Sequence, residues 1–225
     1  MFSLQSFHKA YETDTTDLVI HGRKFQMLLP KDLSPFIHTQ DLLHEFPLWA
    51  KIWQASWVLA GVLAEMPTAA GKNFLEIGAG AGLVSIVAAS FGHRITMTEF
   101  NPDALQFARA NAVVNGCPQL PIRELDWNRP ELADTFDYIV ASEVTYKKEH
   151  VSSLLKLFKT YLKPDGAVYL AGEMRRVSRE FYQRLETDFD IRVQKKILRS
   201  AGEETAVFLF RMTRKKVLPC RAGSP

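Results

Sequence analysis

The residues best suited to chemistry begin with Glu76-Ile77-Gly78-Ala79-Gly80-Ala81-Gly82. Glycines let a backbone turn tightly and approach a ligand closely. Two phosphate-binding readings fail on spacing. A dinucleotide fingerprint needs its third glycine at position 83, to seat a pyrophosphate on a helix N-terminus, and that residue is Leu83. A P-loop needs Gly-Lys-Ser/Thr, which is absent. Glu76 argues the same way, because a carboxylate two residues ahead of the first glycine repels a phosphate and suits a cation. His8, His21, His38, His44, His93 and His150 are scattered, and no pair has metal-ligand spacing. No metal is expected.

Such a loop must be held between a strand and a helix. Phe74-Leu75-Glu76-Ile77 reads as a short apolar strand, and residues 83–91, small and apolar, as a buried helix. A second strand is expected over 95–98. Asn101-Pro102 opens a helix, with Asn as cap and Pro at the first helical position, and Asn115-Gly116 closes it. Further strands are expected at 121–123, 136–141 and 167–171. Helices are expected at 148–162, closed by Pro164-Asp165-Gly166, and at 178–186. The last two strands, 191–198 and 205–212, turn around Gly202 with no helix between them, so one runs antiparallel. The alternation predicts an α/β, doubly wound, mainly parallel sheet with a reversed edge strand. Ligands in such sheets gather at the carboxyl ends of the strands, where the glycine loop lies. Upstream, residues 17–29 read as a hairpin around His21-Gly22-Arg23, and residues 30–35, proline at each end, as a loop. Residues 48–65 read as a helix, with Trp49 and Trp57 expected to pack.

Leu75-Glu76-Ile77-Gly78-Ala79-Gly80-Ala81-Gly82 resembles motif I of the seven-stranded S-adenosylmethionine (SAM) methyltransferases. The resemblance implies a Rossmann-like sheet of seven strands, SAM as cofactor, and Glu76, Gly78, Gly80 and Gly82 around its methionine end. Glu99, 17 residues after Gly82, then stands where a carboxylate accepts hydrogen bonds from both ribose hydroxyls. Asp126-Trp127 resembles the adenine site, the Asp accepting from the exocyclic amine and the ring or backbone contacting the base. Ser142 joins the cofactor-contacting positions. Trp53 lies in a segment, Ile52 through Ala60, similar to a tryptophan-containing helix whose indole covers the SAM site.

The residues after the strand over 136–141 bear on the methyl acceptor. Enzymes that methylate the amino group of adenine or glutamine usually carry Asn/Asp-Pro-Pro-Tyr/Phe there, and this chain has Ala141-Ser142-Glu143-Val144-Thr145-Tyr146 without proline. Glu143-Val144-Thr145-Tyr146 resembles the Asp/Glu-x-x-Tyr pattern of the family 16 protein lysine methyltransferases, which modify non-histone proteins. The N-terminal hairpin, Gly172-Glu173-Met174-Arg175-Arg176 and Glu180-Phe181-Tyr182 are similar to segments of the same group, so the resemblance runs over roughly residues 17–212. It implies methyl transfer to a lysine side chain. Glu143 would align the amine or take its proton through water, and Tyr146 would hydrogen-bond or wall the pocket. The spacing puts both near the start of the following helix, where Glu143 could instead serve as a helix cap. A small molecule, an RNA or a protein histidine as acceptor, and SAM binding without catalysis, remain open.

At 225 residues, 47% hydrophobic and 24% charged, the chain reads as one globular domain. Residues 1–40 are expected as an appended hairpin and loop, 41–214 as the methyltransferase domain, and 215–225 as a basic flexible tail. Cys117 and Cys220 are too few for a disulfide framework or zinc site. No transmembrane run and no signal peptide are evident, so a cytoplasmic protein without a membrane partner is expected. The net charge of +3 is concentrated in residues 196–225, which carry seven basic and two acidic residues. That is a charged end rather than a basic face, and it argues against nucleic acid. A protein substrate and a monomeric chain are expected. Lys147-Lys148 and Lys195-Lys196 read as solvated faces, with Lys147 placed to steer an acidic target.

Overall fold

A computed structural model of the chain describes residues 2–37, 46–144, 150–174, 176–200 and 203–215. A short helix, α1 (Leu4–Ala10), precedes a hairpin of β1 (Thr13–Ile20) and β2 (Arg23–Pro30). After α2 (Gln54–Glu65) the alternation sets in, with β3 (Asn73–Glu76), α3 (Leu83–Ser90), β4 (Arg94–Glu99), α4 (Pro102–Val114) and β5 (Ile122–Glu124). It continues through β6 (Phe136–Ser142), α5 (His150–Tyr161), β7 (Leu162–Gly172) and α6 (Arg176–Leu185). The chain then folds back as β8 (Phe189–Ser200) and β9 (Glu203–Arg214). Strand order is β5-β4-β3-β6-β7-β9-β8, parallel from β5 to β7 and antiparallel at β9 and β8. This is the expected doubly wound sheet with a reversed edge hairpin. The order switches between β3 and β6, which opens a crevice at their carboxyl ends.

Each face of the sheet carries its own core. Leu59 and Leu63 of α2 and Val84, Ile86 and Val87 of α3 pack on one face, joined by Ile20, Phe25 and Met27 of the hairpin. Leu154, Leu157 and Phe158 of α5 and Phe181 and Leu185 of α6 cover the other. Asn111 of α4 fastens the hairpin. Its Oδ1 accepts from the Leu28 backbone N–H at 2.7 Å, and its Nδ2 donates to the carbonyls of Leu28 and Ala81 at 3.1 and 2.9 Å. The Asn101 cap forms as expected, accepting from the N–H groups of Asp103 and Ala104. Among the described residues no helix is long and apolar enough to cross a membrane.

Three expectations need correction. The helix over 48–65 is interrupted: Leu48–Ala50 form a 3₁₀ turn, and α2 starts only at Gln54 because Trp53 is extended (φ −83°, ψ 147°). The Trp53 indole holds this break by donating Nε1–H to the Leu48 carbonyl at 2.7 Å. Trp57 does not pack in the core, being 40% exposed, whereas Trp49 does pack, between Phe36 and Phe107. The segment Pro164-Asp165-Gly166 does not separate helix from strand. Leu162 already pairs with Phe136, and the register shifts before Tyr138 meets Ala167, so these residues form an irregularity inside β7.

At the amino-terminal end of the sheet, Asp137 is buried and joins three segments. Lys72 and Lys163 each place Nζ 2.7 Å from its carboxylate, and the Asn73 N–H donates at 3.1 Å. Burial raises the Asp137 pKa, but the bonds from Lys163, Lys72 and Asn73 outweigh it and bring the value down to about 2. The stabilisation is present above the ordinary carboxyl pKa of 3.8 and is lost as pH falls through about 2. Asp137→Ala is expected to cost about 2–3 kcal/mol in urea unfolding at pH 7, the lower end for a broken buried pair because both lysines are partly exposed and can rehydrate. The difference from the parent should shrink steadily as pH falls from about 4 to about 2. An equal cost across this range would count against the ion pairs.

Candidate active site

The loops after β3, β4, β5 and β6 enclose a cavity of about 600 Å³. Its lining includes Trp53, Gly78, Gly80, Gly82, Glu99, Asp126, Trp127, Ser142 and Glu143. Segments more than a hundred residues apart in sequence, Phe36 and His150 among them, are thus brought to one crevice. Of the expected site residues, Glu76 lies outside the lining, and Tyr146 falls among residues 145–149, outside the described residues.

The glycine loop is shaped by what surrounds it. Gly78 has φ +63°, and a Cβ there would lie 3.0 Å from the Trp127 ring and 3.1 Å from Val144. The loop therefore threads between the Trp127 indole and the segment after β6, a path open only to glycine. Gly82, in the left-handed region at φ +92°, precedes α3 without a side chain to cap it. Glu76 does that work from the end of β3. Its Oε2 accepts from the Ser85 N–H at 3.0 Å and from the Ser85 hydroxyl, satisfying an open donor of the first turn of α3.

The other Glu76 oxygen, Oε1, is buried without a hydrogen-bond partner among the described residues. Burial is the main influence on this carboxyl, the Ser85 bonds oppose it, the Glu99 charge adds to it, and the pKa is pushed up to about 7. An acid whose folded pKa is raised holds its proton longer when folded. Stability therefore declines as pH climbs from about 4.5 to about 7 and is level above that. Each pH unit in this window costs at most about 1.4 kcal/mol. Glu76→Gln should flatten this decline in urea melts between pH 5 and pH 8. Parallel curves for parent and variant would contradict the assignment.

Glu99, at the end of β4, is already oriented by backbone. Gly80 N–H donates to its Oε2 at 2.8 Å, and the N–H groups of Phe100 and Asn101 donate to Oε1 at 2.7 and 3.0 Å. A carboxylate has about four acceptor positions, so Glu99 can still receive a hydroxyl on the cavity side. Asp126 closes a turn by accepting from the Asn128 N–H at 2.8 Å. The Trp127 ring meets the His150 ring edge-on at 5.2 Å. Trp53, pinned through Nε1, lies under the Lys51 ammonium, which sits 4.9 Å from its ring centre.

Glu143 follows β6 with φ +53°, a left-handed conformation uncommon for a side chain of this size. Two bonds to the end of β7 hold it there. The Glu143 N–H donates to the Ala171 carbonyl at 2.9 Å, and the Glu173 N–H donates to Glu143 Oε1 at 2.8 Å. Glu143 is therefore anchored to the end of β7. Burial and the Glu143 charge together hold the Tyr182 phenol above its usual pKa.

Sequence reasoning missed several wall residues. Phe36, Phe46, Lys51, Phe100 and His150 also line the cavity. Trp49 both packs and lines it, its backbone lying 3.4 Å from where a Gly80 Cβ would stand. No spacing rule predicts these residues. Phe46 and Phe100 are 50% and 58% exposed at the rim, an exposure that the sequence alone does not show.

The residues present fit SAM, the cofactor that the resemblance implies. Two carboxylates flank the glycine loop, the Glu99 charge adds to the cost of ionising Glu76, which a cationic ligand relieves, and Glu76 has a buried oxygen without a partner among the described residues. The glycine loop would hold the methionyl end, with Glu76 shaping it from behind through Ser85, Glu99 the ribose, and Asp126 and Trp127 the base. Among known proteins, residues 39–188 match a family model described as lysine methyltransferase. The mouse protein-lysine methyltransferase METTL21E is 33% identical over 156 residues, covering 63% of this chain and 64% of that protein. The Arabidopsis thaliana calmodulin-lysine N-methyltransferase is 33% identical over 125 residues, covering 51% and 41%. The chain spans 53–64% of the length of the mouse and bovine METTL21E proteins. A crystal structure of ribosomal protein L11 methylase from Lactobacillus delbrueckii subsp. bulgaricus superposes with a TM-score of 0.58 at 18% identity, covering 74% of this chain and 81% of that one. The glycopeptide N-methyltransferase MtfA, complexed with S-adenosyl-L-homocysteine, gives 0.58 at 15% identity, covering 72% and 90%. The structural likenesses establish the fold, and the family match over two thirds of the sequence establishes the lineage: this chain belongs to the lysine methyltransferase family.

Proposed function

We propose that this protein transfers a methyl group from SAM to the side-chain amine of a lysine in a protein substrate. The observation that carries the reading is Glu143, an anchored carboxylate on the wall of the cavity shared with the glycine loop. The family match and the lysine-directed relatives support it. A cytoplasmic site of action belongs to the same proposal.

Bound SAM supplies a methyl group made electrophilic by its sulfonium. The chain must present a neutral amine to it, in line and about 3 Å away. A lysine with its ordinary pKa near 10.4 is neutral in only about one molecule in 10³ at pH 7. The aromatic rim, Phe46, Trp53 and Phe100, strips water from the entering side chain and favours the uncharged amine. Glu143 accepts a hydrogen bond from the ammonium, fixes its direction, and receives the departing proton through water. The bond from the Glu173 N–H helps hold the carboxylate on the cavity wall.

The experiment is transfer of labelled methyl groups from SAM into a cell lysate, followed by mass spectrometry of labelled protein bands. Methyl-lysine in a discrete protein is the expected result. Label confined to RNA or small metabolites, or on histidine, would overturn the reading.

A further inference from the structure

The outer edge of β8 has the properties of a docking strand. β8 is the last strand of the sheet and pairs only with β9 among the described residues. Its pairing is unbroken over twelve residue pairs, from Phe189 with Arg214 to Ser200 with Glu203. Residues 192–197 are all exposed. The edge therefore offers a straight row of backbone N–H and C=O groups, without the proline or bulge that commonly closes such edges.

The hairpin also reaches toward the cavity. Pairing of β7 with β9 stops at Gly172 with Phe208, yet β9 and β8 continue for about five more residues, roughly 17 Å at strand spacing. The end of β7 that they overrun is the one that anchors Glu143 through Ala171 and Glu173. A strand added to β8 would run alongside this overhang, toward the mouth of the site.

The side chains specify what kind of strand fits. On one face of β8, Val193 and Ile197 are each 51% exposed and flank Lys195. On the other, Arg192 and Lys196 stand two pairs to either side of Gln194. Residues 191–200 contain four basic residues and no acidic one. Lysines on an edge commonly prevent a sheet from pairing with its own copies. A single sign of charge does so here, and that same sign attracts an acidic strand. The exposed valine and isoleucine favour a peptide over a phosphate backbone.

We infer that the free edge of β8 docks an extended segment of the protein substrate in which apolar residues alternate with carboxylates, by β-strand addition. The inference rests on the protein-substrate reading above, and its first test requires neither SAM nor transfer. A fluorescein-labelled ten-residue peptide alternating valine with glutamate is titrated with the full chain, beside the same peptide with lysine for glutamate. The glutamate peptide should bind at least tenfold tighter. Its binding should weaken at least tenfold in the double variant Lys195→Glu, Lys196→Glu and in 0.5 M salt, and amide exchange should slow over residues 192–198. Val193→Ser with Ile197→Ser should also weaken it while leaving the thermal transition and SAM affinity unchanged. Equal binding of both peptides, insensitivity to the charge reversal, or protection elsewhere would overturn the inference. So would an oligonucleotide, or a second copy of the chain, that protects β8 in preference to the peptide. Methyl labelling of lysate proteins should fall at least fivefold in the charge-reversed variant, and unchanged labelling would remove the substrate role. Peptide docking at β8 in a chain that labels no protein would instead defeat the methyltransferase reading alone.

Discussion

Glu143→Ala is expected to lower the rate of methyl transfer 10²- to 10³-fold while SAM affinity stays within about twofold. The magnitude is that of removing a positioned proton acceptor. The separation follows from geometry, because the anchors of Glu143 are Ala171 and Glu173 of the β7 end, whereas the loop around Glu99 and Gly80 is built without it. Glu143→Gln makes the test sharper. Its side-chain oxygen can still accept from the Glu173 N–H, so this anchor is kept while the charge is lost. A large rate loss in this variant assigns the effect to the carboxylate, and a loss seen only in the alanine variant assigns it to loop order. Single-turnover kinetics with calorimetric titration of SAM distinguishes them, and a full rate in both variants would remove Glu143 from the mechanism.

Gly78→Ala should weaken SAM binding at least 30-fold. The added methyl group would meet the Trp127 ring at 3.0 Å and Val144 at 3.1 Å, on a backbone already at φ +63°. The ring must yield, and it stands on the expected base-binding side of the cavity. Gly116 provides the control, since it has φ +73° but nothing within 4 Å of an added Cβ. Gly116→Ala carries only backbone strain, roughly 1 kcal/mol of stability, and should bind SAM as the parent does. If both variants bind equally well, the Gly78 contact does not shape the site.

The contrast between these glycines shows what local sequence conveys and what it does not. Sequence reads Gly78 as part of the glycine loop and Gly116 as a helix stop, but only packing shows that an added methyl group has room at one and not at the other. The strand and helix alternation was legible because buried strands are continuous apolar runs and Asn101-Pro102 caps a helix by local chemistry. The break before α2 was not, because the spacing from Trp49 to Ala60 suits a helix, while Trp53 is held extended by its own indole bonding back to Leu48. Within the site, the residues at strand ends were legible as a set, since Glu99, Asp126, Ser142 and Glu143 all reach the cavity. Glu76 was legible by position, but its attachment to Ser85 was not, because a contact across a nine-residue loop leaves no periodic trace. The anchorage of Glu143 depends on β6 and β7 lying side by side, which is a property of the sheet.

Asn111 has a practical consequence. Recognisable family sequence starts at residue 39, which invites an expression boundary there. The side chain that grips the Ala81 carbonyl in the glycine loop spends its other two bonds on Leu28 of the hairpin. A protein trimmed at residue 39 would leave that amide half-bonded in an opened core and would withdraw Met27 and Phe25 from beneath it. Trimming at residue 39 is therefore expected to loosen the glycine loop, because the hairpin that holds Asn111 lies ahead of the matched segment.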